Sequence, residues 1–389
     1  MDRTDGRTDD HGSAFGAALG ASADCATGAQ SPGTQSPDTR NSSPQGRRNR
    51  AWTRGFSDDR TDSGAIAAID LGTNNCRLLV ARKADDGFAV IDAFSRIVRL
   101  GEGVARLGRL SDEAMDRTVS ALAVCANKLR RRSVGPGRSR AVATEACRRA
   151  VNFPEFRERV NERVGIDLEV ISALEEARLA LGGCAPLLDP QIPHALVFDI
   201  GGGSTEIMWL TVSPNGTENA AFPPAIRLID SISLPVGVVS LSERHGGQWV
   251  SQDLYKEMIA EVTGPLAWFE ERHGIRSLIM SGEAQILGSS GTVTTLAGVS
   301  MGLRRYDRSL VDGTFLATQE ARTISRNLLA MSVGERCCQP CIGRDRGDLV
   351  ISGCAILEAI LDQWPAERFR VADRGVREGI LYDLVRSHL

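Results

Sequence analysis

The sequence predicts an α/β protein of two similar domains that face each other across a cleft. Three observations predict it. Apolar strands alternate with amphipathic helical stretches from about Gly64 to the C-terminus. One strand–turn pattern occurs twice, as Ile69-Asp70-Leu71-Gly72-Thr73-Asn74 and as Phe198-Asp199-Ile200-Gly201-Gly202-Gly203. In both copies an aspartate sits within an apolar strand and a glycine follows two residues later. The chain, at 389 residues, is long enough for two domains with proper cores. The two copies lie too far apart to be a solenoid period.

Residues 1–63 are rich in Gly, Ser, Thr, Asp, Asn and Arg and almost free of large apolar residues. Such a segment cannot offset its ordering entropy by burial, so a disordered tail is expected there. The first domain is expected over residues 64–183. Ala65 to Lys83 reads as two strands around a Gly-Thr-Asn-Asn turn, and Gly87 to Gly101 continues the sheet. Ser111 to Arg132 reads as a helix with Ser111 as its N-cap, acids in its first turn and arginines in its last. Ser139 to Ala150 gives a short strand and a helix start. Asp167 to Ser172 is another strand. Glu175 to Leu181 is helical, and Gly182-Gly183 reads as its stop.

A Pro-containing linker, Cys184 to Pro193, opens the second domain, expected over residues 184–389. It holds a hairpin from Ala195 to Val212 and a long helix from about Ser251 to His273. A strand over Ser277 to Gly282 and a loop over Gly288 to Val299 follow. Helices are expected from about Thr318 to Met331 and from about Leu349 to Asp362. The strand Phe369 to Asp373 leads into a final helix from Arg374 to about Ser387, which is free to pack back on the first domain.

Composition narrows the function. Net charge is -3, so no global field draws an anion, and a polyanionic substrate must be held by a local basic site or a metal. The basic residues are nearly all arginine, which grips phosphate bidentately but is also a common compositional bias. No run of 18 apolar residues exists, so no membrane span is expected. The N-terminus lacks a basic start followed by an apolar core, so a cytoplasmic protein without a signal peptide is expected. The nine cysteines are scattered and odd in number and are expected to be reduced thiols. Cys338 and Cys341 form a C-x-x-C beside Cys337, but no second ligand pair is near, so zinc is not expected. Arg130-Arg131-Arg132 with Arg138 and Arg140 reads equally as a solvated helix end and as a guide for a polyanion; nucleic-acid binding is not expected.

The paired hairpins suit phosphate chemistry. Glycine removes the side chain at a tight turn, so backbone N–H groups can point at a phosphate oxygen. Thr73, Asn74, Asn75, Ser204 and Thr205 add side-chain donors. Asp70 and Asp199, at strand ends, would meet across the cleft, where two carboxylates repel unless a cation sits between them. That suits Mg²⁺ held directly or through water. One D-x-G-T is as readily an ordinary turn. Two copies, the second running Gly201-Gly202-Gly203-Ser204-Thr205-Glu206, favour phosphate. Three glycines weaken a strand pair, and a close ligand approach would explain them. The chain has neither G-x-x-x-x-G-K-[ST] nor G-x-S-x-G, and its five histidines show no metal-ligand spacing. Base catalysis then falls to Glu145, Glu175, Glu176 or Glu206. By spacing alone Glu175 and Glu176 read as readily as helix N-terminal acids.

Taken together, IDLGTNNCRLLVA, VATEACRRAVN, ISALEEARL, VFDIGGGSTEI, SLPVGVVSLSE, GSSGTVTTLAG and RVADRGVREGILYDLV resemble the exopolyphosphatase/guanosine pentaphosphate phosphohydrolase (Ppx/GppA) family in its short, two-domain form. The resemblance runs from about Ala65 to Leu389. It implies duplicated ribonuclease-H-like domains of the actin, Hsp70 and sugar-kinase superfold facing an interdomain cleft. It implies Glu176 as the catalytic base and Asp70, Gly72, Thr73 and Asn74 as a first phosphate loop. Asp199, Gly201 and Glu206 would be metal and phosphate residues, and Arg148 would contact the phosphate chain. With the hairpin reading, the expected metal ligands are Asp70, Asp199 and Glu206. The expected phosphate donors are Gly72, Thr73, Asn74, Asn75, Arg148, Gly201, Gly202, Gly203, Ser204 and Thr205. The usual first loop reads D-x-G-S-N-S, so Asn75 replaces a hydroxyl with an amide. Inorganic polyphosphate and guanosine pentaphosphate compete as substrates. An ATP-dependent kinase of the same superfold and a non-catalytic alarmone-binding regulator are the other readings. A homodimer is consistent with the family.

Overall fold

The structure, a computed structural model, describes residues 64–85, 87–213, 225–246 and 249–387; the tail expected over residues 1–63 lies outside them. The described part belongs to one compact unit. In it, β1 (Ala65–Leu71) and β2 (Asn75–Ala84) form the first antiparallel hairpin, and β3 (Gly87–Ile97) extends it on the β2 side. On the other side of β1, β4 (Ser139–Ala143) and β5 (Glu169–Val170) run parallel, giving the order β3-β2-β1-β4-β5.

The second sheet repeats this plan. Strands β6 (His194–Ile200), β7 (Thr205–Ser213) and β8 (Ala225–Leu234) form the antiparallel trio. Strand β9 (Ala284–Ser290) runs parallel to β6 and β11 (Arg368–Ala372) runs parallel to β9. An added edge strand, β10 (Phe315–Ala317), pairs antiparallel with β11. The order β10-β11-β9-β6-β7-β8 thus contains the first sheet's plan once over, and the expected duplicated ribonuclease-H-like architecture is present.

Both central hairpins are apolar on both faces because both faces are covered. In the first sheet, Ile69, Leu71, Leu78 and Val80 pack on Met115, Leu122, Phe156 and Val160. The alternate residues Ile66, Ala68, Leu79 and Ala81 pack on Leu179 and Ala180 of the helix Ala173–Cys184 and on Ile380 and Leu381 of the last helix, Val376–Ser387. The last helix follows the second sheet in the chain but covers the first. In the second sheet, Leu196, Phe198, Ile207 and Trp209 share a core with Met258, Leu266 and Ile356. Ala195, Val197, Met208 and Leu210 face Ala177, Leu181 and Cys184 of the Ala173–Cys184 helix. That helix therefore sits between the two sheets.

Four expectations are corrected. Gly182 and Gly183 do not stop a helix but lie inside Ala173–Cys184, where a β-carbon on Gly183 would overlap the Gly375 carbonyl. Close helix packing, not a turn, requires glycine there. Residues 277–282 are not a strand; Ile275–Met280 is a short helix whose Ile275 and Ile279, four apart, are both buried. The stretch 288–299 is not a loop. It is the end of β9 followed by the helix Gly291–Ser300, started by the Ser290 hydroxyl accepting from the Val293 N–H at 3.0 Å. The Gly, Ser and Thr richness of this stretch mimics a loop. The strand expected over Asp167 to Ser172 is shorter, Glu169–Val170.

Candidate functional site

The two hairpins are built alike. The Gly72 N–H donates to the Asn75 carbonyl, and the Gly201 N–H to the Ser204 carbonyl, each at 2.9 Å. In each half the chain just after the third strand ties down the carbonyls of the hairpin tip. Val98 and Arg99 N–H groups donate to Asn74 O, and the Gly101 N–H donates to Thr73 O. Correspondingly, the Val238 N–H donates to Gly201 O and the Val239 N–H to Gly202 O. Among the described residues, no hydrogen bond engages the N–H groups of Thr73, Asn74, Gly202, Gly203 or Ser204. With acceptors occupied and donors free, each tip has the polarity of an anion cradle.

Both tips line one cavity of about 780 Å³. The start of the Gly291–Ser300 helix, the segment 341–346 and the segment 372–377 complete its walls. None of Gly72, Gly201, Gly202 and Gly203 has a positive φ, so left-handed geometry is not what requires glycine. Packing is. A β-carbon on Gly202 would lie 2.9 Å from Thr73 Cβ and 3.2 Å from Asn74 N, and one on Gly203 would overlap Glu145 Oε2. The close approach expected from a ligand is made here by the opposite hairpin and by Glu145.

Glu176 sits in the first turn of the Ala173–Cys184 helix, whose N-cap Ser172 accepts the Glu175 N–H at 3.1 Å. The two adjacent acids diverge. Glu175 pairs with Arg178 and Arg140, which hold its carboxyl down at about 2. Glu176 lines the cavity, and its Oε2 accepts from Arg148 Nη1 at 2.6 Å. Burial, reinforced by the nearby Glu206 carboxylate, outweighs Arg148 and pushes Glu176 up to about 8. Asp199 is pushed up to about 7 by burial and by Glu176, with Arg77 opposing. Burial also raises Asp70, opposed by Arg77 and Arg377. Elevated carboxyls gathered in one cavity are a frequent mark of a functional site.

Asp70, Gly72, Thr73, Asn74, Asn75, Glu176, Asp199, Gly201, Gly202, Gly203 and Ser204 all line the cavity. Arg148, Thr205 and Glu206 do not. The Arg148 Nη1 that holds Glu176 also donates to Ile171 O at 3.0 Å. The Thr205 hydroxyl donates to Val236 O at 2.6 Å, and Glu206 Oε1 accepts from Ser204 and Ser233 at 2.7 and 2.8 Å. These three side chains brace the site from behind.

The oxygen donors at the cavity suit Mg²⁺. Asp70 and Asp199 accept no side-chain hydrogen bond and form no ion pair among the described residues, and the buried Oδ1 atoms of Asn74 and Asn75 have no partner. All are hard oxygen donors. No three Asp, Glu, His or Cys side chains among the described residues could by themselves hold a metal ion. Mg²⁺ keeps several waters and takes one or two carboxylates plus substrate phosphates, so a sparse set of this kind fits it.

The profile of the Ppx/GppA phosphatase family matches residues 79–388. This chain belongs to the Ppx/GppA family. The crystal structure of the Aquifex aeolicus family member is 28% identical, with a TM-score of 0.67, covering 84% of this chain and 98% of that one. An exopolyphosphatase from Cytophaga hutchinsonii is 25% identical, with a TM-score of 0.69 and coverage of 83% and 98%. A curated relative from Haemophilus influenzae, provisionally named an exopolyphosphatase, is 28% identical over 327 residues, 83% of this chain and 92% of its own. The Ppx/GppA assignment makes a phosphatase the expected activity class.

Sequence reasoning missed the cavity's arginines. Arg77, Arg346 and Arg377 line it, and none forms an ion pair among the described residues. The Arg346 guanidinium donates to the Thr295 hydroxyl at 3.2 Å. A signal existed for Arg77: it is two residues past Asn75 on β2 and so points to the same face. Two of the five arginines singled out instead are neutralised by acids. Arg140 pairs with Glu169 and Glu175, and Arg132 with Asp92. Cys338 is exposed and Cys341 is on the cavity wall, donating weakly to Leu303 O. No helix among the described residues is long and apolar enough to cross a membrane.

Proposed function

We propose that this Ppx/GppA protein removes the terminal phosphoryl group of inorganic polyphosphate and releases orthophosphate. The observation that carries the reading is the facing pair of hairpin tips, donors free and carbonyls tied, with Glu176 on the same cavity wall. In this reading the tips cradle the terminal phosphoryl group and Arg77, Arg346 and Arg377 bind the rest of the chain. Glu176 orients a water and takes its proton as the water oxygen bonds to phosphorus. The bond to the bridging oxygen breaks, and that oxygen leaves with the shortened chain. Arg148 fixes the Glu176 carboxylate rather than touching phosphate. Asp70 and Asp199 would hold Mg²⁺, which supplies neutralisation of phosphate charge when bound. A raised carboxyl is ionised only as pH climbs toward its elevated value, so turnover should rise with pH toward about 8.

A second reading, hydrolysis of guanosine pentaphosphate, draws on the apolar part of the cavity wall, Tyr306, Ile342 and Val350, which could face a base. One assay separates the readings. Orthophosphate release is measured with Mg²⁺ on long polyphosphate, tripolyphosphate, guanosine pentaphosphate and ATP, for wild type and Glu176→Gln. The expected result is release from polyphosphate, with kcat reduced by roughly 10²- to 10⁴-fold in the variant and KM kept. Release from guanosine pentaphosphate alone would favour the second reading. No release, with tight guanosine tetraphosphate binding, would make the protein a regulator.

A further inference from the structure

We infer that Glu145 is an internal competitor of the substrate: its carboxylate and the incoming phosphoryl group contend for the same seam between the hairpins. The inference rests on the reading of the hairpins as a phosphate cradle.

Glu145 is the first residue of the helix Glu145–Arg149, which directly follows β4. The Thr144 N–H donates to Leu71 O at 3.1 Å, which fixes this corner beside the first hairpin. From there Glu145 reaches across. Its Oε2 accepts from the Thr73 hydroxyl at 3.4 Å and occupies the place a Gly203 side chain would take. One carboxylate oxygen therefore touches both tips, the hydroxyl of the first and the bare backbone of the second. The other oxygen, Oε1, points the opposite way and pairs with Arg149 at 3.2 Å. The Glu145 side chain is 12% exposed, whereas Arg149 is 41% exposed.

This placement has a chemical meaning. A carboxylate is acceptor-only, like a phosphoryl oxygen, and carries the same sign of charge. In the seam it takes one donor that a phosphate would use, the Thr73 hydroxyl, and fills the space beside the free N–H groups of the second tip. Two anions cannot share that space, because the Glu145 carboxylate and a phosphoryl group carry like charges that repel at contact distance. Phosphate entry then requires Glu145 to leave, and Arg149 is the partner toward which it can swing. An ion pair this exposed is weak, so little holds Glu145 in either position. The carboxylate thus weakens retention of substrate and of the orthophosphate product alike. It also gives Gly203 its reason to be glycine, since any side chain there would collide with Glu145.

The test uses the full-length protein with Mg²⁺ and three forms, wild type, Glu145→Gln and Glu145→Ala. Calorimetric titration gives Kd for orthophosphate and tripolyphosphate, and turnover on polyphosphate gives KM and half-saturating Mg²⁺. Both variants should bind orthophosphate tighter by roughly tenfold. KM should fall in parallel, with half-saturating Mg²⁺ unmoved. Affinity that is unchanged or weaker in both variants overturns the role. So does a raised Mg²⁺ requirement, which would make Glu145 a cation ligand instead. A wild type that binds neither phosphate would sink the proposed function itself, an outcome distinct from failure of Glu145 alone.

Discussion

The two hairpins share a fold but are built from different material. The first, Asp70 to Asn75, carries hydroxyl and amide side chains and leaves room around its glycine: a β-carbon on Gly72 would meet nothing closer than Asn75 O at 3.7 Å. The second, Asp199 to Glu206, is bare backbone at Gly201, Gly202 and Gly203 and is packed without slack. A β-carbon on Gly201 would lie 2.9 Å from Ser204 O, and one on Gly237, in the segment that ties this tip down, would lie 2.5 Å from Gly202 O and Gly203 N. Duplication preserved the position of donors, not the means of supplying them. The first tip should therefore tolerate an added methyl and the second should not.

That contrast gives the largest expected difference. Gly201→Ala presses a methyl against the Ser204 carbonyl, so hydrolysis should fall by more than about 100-fold and stability by roughly 1–3 kcal/mol. Gly72→Ala should change turnover by less than about threefold. Phosphate release and thermal unfolding of the two variants side by side decide it. Equal damage at both positions would mean that the packing difference has no functional weight.

The same contrast explains how much the sequence revealed. The strands carrying Asp70 and Asp199 were legible because burial on both faces forces a continuous apolar run that a glycine turn interrupts. The cavity acids were legible as residue types near the hairpins. Their division of labour was not. That Glu175 faces Arg140 and Arg178 while Glu176 faces the cavity depends on where a helix axis points, which spacing leaves open. Gly182-Gly183 and the stretch from Gly288 misled for one reason: glycine serves close approach as well as turns. Only the partner, Gly375 for one and the Phe198 ring for the other, distinguishes the two uses. Arg346 and Arg377 come from segments remote in sequence that only the tertiary fold brings to the cavity wall.

The aspartates sharpen the comparison next. Asp199 is pushed up to about 7, with Arg77 as the cation opposing the shift, whereas Asp70 has Arg77 and Arg377 beside it. A carboxyl raised on folding binds more protons in the native state than in the unfolded one. Its neutral form favours folding at low pH, and that advantage is lost as pH rises from about 4 through about 7. In chelator at pH 8, Asp199→Asn should raise Tm by roughly 5 °C, a gain that shrinks toward pH 4. Asp70→Asn should gain less. A Tm gain for Asp199→Asn independent of pH would show that its charge is not the cause.

The smallest effect concerns the residue where this chain departs from the usual first loop. Asn75 opens β2, its backbone carbonyl closes the turn with Gly72, and its buried Oδ1 has no hydrogen-bond partner. A buried acceptor left unpaired is costly, so Asn75 is a source of strain unless something outside the protein pairs with it. Serine is smaller and can turn its hydroxyl to suit its surroundings. In chelator, Asn75→Ser should raise Tm by about 2 °C. With Mg²⁺ and phosphate present that gain should vanish, and half-saturating Mg²⁺ should rise by about threefold, if in the proposed site the amide oxygen meets the hydrated cation or the substrate. A gain of equal size in both conditions would mean that Asn75 contributes only strain. The first hairpin's side-chain donors would then reduce to Thr73 and Asn74, bringing its chemistry closer to the bare backbone of the second.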